Sequence, residues 1–141
     1  MFNKILVAID GSPMSDKALD TALSLAKWQQ ADLLLVHVGR SVVMPPTMII
    51  PSAENVYDAV RTAGEKILKQ AKQKAEEEGF TPSAKYVEGD PAEQIIQLAE
   101  QEQADLVVIG SRGLGNIKEM VLGGVSHKVS QHVHCPVLII K

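Results

Sequence analysis

The chain has 141 residues, a length that suits one domain with a single core. Its net charge of −3 offers no general attraction to nucleic acid or anionic lipid, and an aromatic content of 4% argues against a base-stacking platform. One cysteine excludes an internal disulfide, no stretch approaches the ~20 apolar residues of a membrane span, and the apolar run after Lys4 is too short for a secretory signal; the expectation is a cytoplasmic protein with neither nucleic acid nor membrane as partner.

Residues 5–9 are an apolar run that reads as a buried strand. Ser12-Pro13 then opens a helix, with Ser12 as N-cap and Pro13 where its missing N–H costs nothing. Leu19, Ala22, Leu23 and Ala26 share one face of that helix. Residues 33–36 form a second strand. Residues 39–52 follow, with Pro45, Pro46 and Pro51 and no clear period. That segment also carries Val42, Val43, Met44, Met48, Ile49 and Ile50, so a lid over a ligand or a surface for a partner subunit is expected there.

A long second helix starts near Glu54. Val60, Ala63, Ile67, Ala71 and Ala75 should face inward, and Lys66, Lys69, Lys72, Glu76 and Glu77 should face solvent. Gly79 ends it. Residues 84–87 are a short third strand. Asp90-Pro91-Ala92-Glu93 reads as a capping box for the third helix, whose inward face is Ile95, Ile96 and Ala99. Residues 106–109 are the fourth strand, and a glycine-rich loop follows. Val125, Val129 and Val133 mark the last helix, and Val137, Leu138, Ile139 and Ile140 the fifth strand.

The strands are unbroken apolar runs, as expected where helices cover both faces. Strict alternation of strand and helix implies a single domain over residues 1–141, α/β in class. Its expected architecture is a doubly wound five-stranded parallel sheet of order 3-2-1-4-5 with helices on both faces.

Such a sheet binds ligands beyond the carboxyl ends of its strands. Two loops there have suitable chemistry: Asp10-Gly11-Ser12, and the glycine loop from Gly110 that leads to Gly123-Gly124-Val125-Ser126 at a helix entry. Glycines let backbone approach a phosphate, and a helix N-terminus supplies free N–H groups and partial positive charge. Turn formation alone is the competing reading of these glycines. A P-loop and a dinucleotide fingerprint are both missing. Asp10 lacks the acidic neighbours of a receiver phosphoacceptor pocket.

With Gly110-Ser111-Arg112-Gly113, nine residues, and then Gly123, the chain resembles the universal stress protein family over nearly its whole length. The opening Ile5-Leu6-Val7-Ala8-Ile9-Asp10-Gly11-Ser12, Val36-His37-Val38 and the closing Cys135-Pro136-Val137-Leu138-Ile139-Ile140 are similar to the family as well. Gly124 departs from the family's pattern, which has Ser or Thr there. One hydroxyl donor is lost, and Ser126 stands two residues on to offer another.

The resemblance implies ATP as ligand, with ADP, AMP or cyclic AMP as alternatives and Mg2+ carried on the phosphates. Ala8 and Val38 would border the adenine, with Ile109 beside the site and Asp10 near the ribose or a phosphate-bound metal. Gly110 and Gly113 would let backbone meet ribose and α-phosphate. Gly123, Gly124, Val125 and Ser126 would donate N–H groups to the outer phosphates. Arg112 would add charge there or simply face solvent. A regulatory stress-response protein is implied, a homodimer through its fifth strand acting on a further protein partner. No catalytic group is identified, because no carboxylate stands beside the glycine loop in the sequence; slow hydrolysis is the most that is expected. A nucleotidyl-transferring enzyme and a nucleotide-free interaction module of the same fold are the alternatives. His132, His134 and Cys135 are too close in sequence for a zinc site on a helix end, so no metal-binding cluster is expected.

Overall fold

The computed structural model describes residues 1–40, 53–113 and 123–141. Five parallel strands, β1 (Lys4–Ala8), β2 (Asp32–Gly39), β3 (Ser83–Glu88), β4 (Leu106–Gly110) and β5 (Val137–Ile140), form one sheet of order β3-β2-β1-β4-β5. Four helices alternate with them: α1 (Pro13–Gln29), α2 (Ala53–Glu77), α3 (Pro91–Gln101) and α4 (Gly124–His132). The expected order and architecture are both observed. β2 and β3 run longer than their apolar cores, because parallel pairing from Leu34–Ser83 to Gly39–Glu88 carries polar residues into the ladder.

Side chains alternate across each strand and so build two cores. Ile5, Val7, Leu35 and Val108 pack under α1 and α2. Leu6, Leu34, Val36, Val107 and Ile109 pack under α3 and α4. Full burial of such a side chain contributes about 1.5–3 kcal/mol. The predicted faces of α1 and α3 are the buried ones, apart from Ile96, which is half-buried. On α2, Ala71 and Ala75 are buried as expected, but Ala63 is exposed and Leu68 takes a core place instead. The inward stripe of α2 therefore drifts along its length. On α4 Ser126 and Val129 are buried; Val125 is half-buried and Val133 lies just past the helix.

Helix ends follow local chemistry. The Ser12 hydroxyl accepts the Ser15 N–H at 3.1 Å. Asp90 accepts the Glu93 N–H at 3.0 Å. The reciprocal half of the expected capping box is replaced, since the Glu93 carboxylate reaches Lys128 at 3.3 Å. At the end of α2, Gly79 has φ +91°, and the Phe80 N–H returns to the Ala75 carbonyl. No described helix is long and apolar enough to cross a membrane. The expected lid falls mostly on residues 41–52, outside the described residues.

Candidate functional site

β1 and β4 lie side by side, yet their following helices cover opposite faces of the sheet. Their loops therefore diverge, and a cleft of about 830 Å3 opens over the carboxyl ends of the strands. All eleven residues expected at a site line it: Ala8, Asp10, Val38, Ile109, Gly110, Arg112, Gly113, Gly123, Gly124, Val125 and Ser126.

One wall is apolar. Ala8 ends β1, and Val38 and Ile109 are the penultimate residues of β2 and β4; all three lie on the α3 face, where Ala92 and Ile95 of α3 join them. The opposite wall comes from His37, Val60, Gly64 and Ile67. The His37 Nδ1–H donates to the Ile9 carbonyl at 2.6 Å, and its ring stacks on Tyr86 with centroids 5.9 Å apart. Behind this wall the Tyr86 hydroxyl is buried without a partner among the described residues, and burial pushes its pKa up.

The floor holds the two glycine loops. Asp10 accepts the Ser12 N–H through Oδ1 at 2.8 Å. Its other oxygen faces Gly113 so closely that a Cβ there would sit 2.6 Å from it. A carboxylate therefore does stand beside the glycine loop, correcting the reading from sequence spacing. Gly110 has a different reason to be glycine: a Cβ would meet the Cβ of Met14 at 2.8 Å, so bareness there admits the first turn of α1.

The entry to α4 completes the floor. The Gly123 N–H donates to the Ser111 carbonyl at 2.6 Å, so it is spent within the protein rather than free for an outer phosphate. The Ser126 hydroxyl is turned inward too, 2.9 Å from the Ser111 carbonyl oxygen and 3.0 Å from that of Gly123. It does not replace the hydroxyl missing at Gly124 as a free donor. Among the described residues, the N–H groups of Gly124, Val125 and Ser126, in the first turn of a helix with no side-chain cap, are left without a partner. A Cβ at Gly124 would meet nothing within 4 Å, so the space for a hydroxyl exists although the residue lacks one.

Arg112 lines the same floor and has no ion pair among the described residues. Lys128 also lines the cleft but is held by Glu93 at 3.3 Å and Asp90 at 3.7 Å. Sequence reasoning missed His37, Gly64, Asp90 and Lys128 as cleft residues. Gly64 had a signal, since a lone glycine inside a helix often marks close packing. His37 and Tyr86 fill the space its side chain would take. His132 and His134 are exposed, and burial raises the pKa of the Cys135 thiol. Among the described residues no group of three His, Cys, Asp or Glu side chains is placed to hold a metal.

A family model described as the universal stress protein family matches residues 1–141. The chain belongs to the universal stress protein family. Universal stress protein YxiE of Bacillus subtilis (strain 168) is 50% identical, with 100% of each chain covered. Among solved structures, a universal stress protein in complex with cAMP is 29% identical, with TM-score 0.75 and coverage of 99% of this chain and 97% of that one. A universal stress protein family protein from Arabidopsis thaliana with AMP bound is 26% identical, with TM-score 0.74 and coverage of 99% and 91%.

Proposed function

We propose that the cleft binds an adenine nucleotide, ATP among the candidates, and that the protein is a nucleotide-dependent regulatory member of its family. The carrying observation is that N–H groups at the start of α4, unpartnered among the described residues, share one cleft with the apolar wall of Ala8, Val38 and Ile109. An adenine suits the wall and a phosphate suits the helix entry. The solved relatives bound to cAMP and AMP support the base and at least one phosphate. In this reading the Asp10 oxygen facing Gly113 would take a ribose hydroxyl or Mg2+ carried on phosphates. Calorimetric titration of nucleotide-free protein with ATP, AMP and cAMP tests the reading. Saturable binding of at least one is expected; no binding of any at millimolar concentration overturns it and leaves a nucleotide-free interaction module.

The second part of the proposal is a homodimer in the cytoplasm, paired through β5. β5 is an edge strand whose four side chains are half-buried against the two cores. The carbonyls of Pro136 and Ile140 point to β4, accepting from Val107 and Ser111. Alternation then leaves the N–H and C=O groups of Val137 and Ile139 on the open edge. A second copy related by a two-fold axis would satisfy them.

A further inference from the structure

Ser126 is the third residue of α4 and only 1% exposed. A hydroxyl has one hydrogen, so Oγ donates to the Ser111 or the Gly123 carbonyl but not to both at once. The Ser111 peptide is a fixed point. Its N–H donates to Ile140 of β5 at 2.7 Å, and its carbonyl already holds the Gly123 N–H. The rest of α4 is held by buried Val129 and by Lys128 on Glu93 and Asp90, but its first turn is weakly fixed. Its N-cap and first residue are both glycines, with high backbone entropy and no capping side chain.

We propose that Ser126 is a positioning residue for the phosphate of the nucleotide. Its buried hydroxyl pins the first turn of α4 to the Ser111 carbonyl, holding the N–H groups of Gly124, Val125 and Ser126 towards the cleft. The inference rests on the adenine-nucleotide reading and deepens it. The hydroxyl serves the ligand through the helix and does not touch it. Donors held in place before the ligand arrives need no ordering when it binds, so their full strength goes to the phosphate.

Ser126→Ala removes the pin and leaves no buried acceptor orphaned. The Ser111 carbonyl keeps the Gly123 N–H, and the Gly123 carbonyl keeps the His127 N–H. The variant therefore folds, and its binding can be read. AMP and adenosine are titrated into wild type and Ser126→Ala, and amide exchange at Gly123 is followed in both proteins without ligand. The expected result is AMP affinity down about three- to tenfold, the worth of one net hydrogen bond. Adenosine affinity should be unchanged, and Gly123 exchange should be slow in wild type and faster in the variant. An unchanged ratio of AMP to adenosine affinity overturns the proposal. So does lost AMP affinity with unchanged exchange, which would mean direct contact with the phosphate, and so does fast Gly123 exchange already in wild type. Those outcomes leave the nucleotide reading standing. Wild-type protein that binds neither compound overturns both.

Discussion

At the amino ends of the strands, polar groups find partners within the chain; at the carboxyl ends, several do not. The backbone N–H groups of Asn3 and Lys4, where β1 begins, both end on the Asp105 carboxylate just before β4, at 2.7 and 3.2 Å. The Lys4 and Lys85 ammonium groups share Glu102 at the end of α3. Opposite, the same strands run into a cleft of about 830 Å3 floored by bare glycine and uncapped N–H groups. Both ends belong to one sheet with continuous cores, so packing does not explain the contrast. The satisfied end holds the fold together. At the carboxyl end, the N–H groups of Gly124, Val125 and Ser126 have no partner among the described residues and face the cleft proposed above to take a ligand.

Filling the open end should give the largest effect. A valine at position 113 puts carbon against the Asp10 carboxylate, 2.6 Å away for Cβ alone, and blocks the backbone that would approach a phosphate. Gly113→Val should weaken ATP or AMP binding at least tenfold, about 1.4 kcal/mol. Gly113 is exposed, so the melting temperature should change little. Equal nucleotide affinity in variant and wild type would remove the functional meaning of the contrast.

β5, an edge strand, is another place where backbone groups are left open, and breaking it comes next. Ile139→Pro deletes an outward N–H without touching the bonds to β4. Light scattering should then report the chain mass of 15.2 kDa in place of twice that value. Lysines at Leu138 and Ile140 would be a poorer probe, because both side chains pack against the core beneath α1. Wild-type protein that is already a monomer at tens of micromolar, a range where transient contacts are commonly populated, would sink the pairing.

The sheet order and the satisfied end could be read from the sequence to different depths. Apolar runs and helical stripes give the strands, their sequence along the chain and most helix faces, because burial and periodicity are local signals. The glycine spacing also locates the floor of the cleft. The spacing does not distinguish one glycine from another. Gly110 makes way for Met14, Gly113 makes way for Asp10, and Gly124 makes way for nothing among the described residues. Nor does it show that the Gly123 N–H and the Ser126 hydroxyl are spent on Ser111, a contact that exists only once β4 and β5 are paired and α4 is docked. The bonds from Asn3 and Lys4 to Asp105 span a hundred residues and have no local signature.

Helix ends at the satisfied end offer a smaller test. α3 closes on Gln103 at φ +55°, a left-handed conformation that side chains disfavour, whereas α2 closes on Gly79. Gln103→Gly should raise stability by about 0.5–1 kcal/mol in urea unfolding, and Gly79→Ala should lower it by a similar amount. A Cβ at Gly79 meets nothing within 4 Å, so the second change isolates backbone conformation from packing. If Gly79→Ala left stability unchanged, the cap would not be part of what holds this end together.

The smallest effect should come from Glu102, and its pH dependence identifies its cause. The hydrogen bond from Lys85, then that from Lys4, holds the Glu102 carboxyl below the usual carboxylate range. A folded-state pKa below the unfolded one means that the unfolded chain binds the proton more readily. The stability that Glu102 contributes is therefore present above the ordinary glutamate pKa. It is lost as pH falls through that range towards the depressed folded value. Water and salt reach this pair, so its contribution is modest and weakens as ionic strength rises. Glu102→Gln should accordingly melt slightly below wild type at neutral pH. The difference should shrink as the pH is lowered past the carboxylate range and shrink again on adding salt at neutral pH. A gap that persisted unchanged into acid would show that Glu102 holds the amino end through packing rather than through charge.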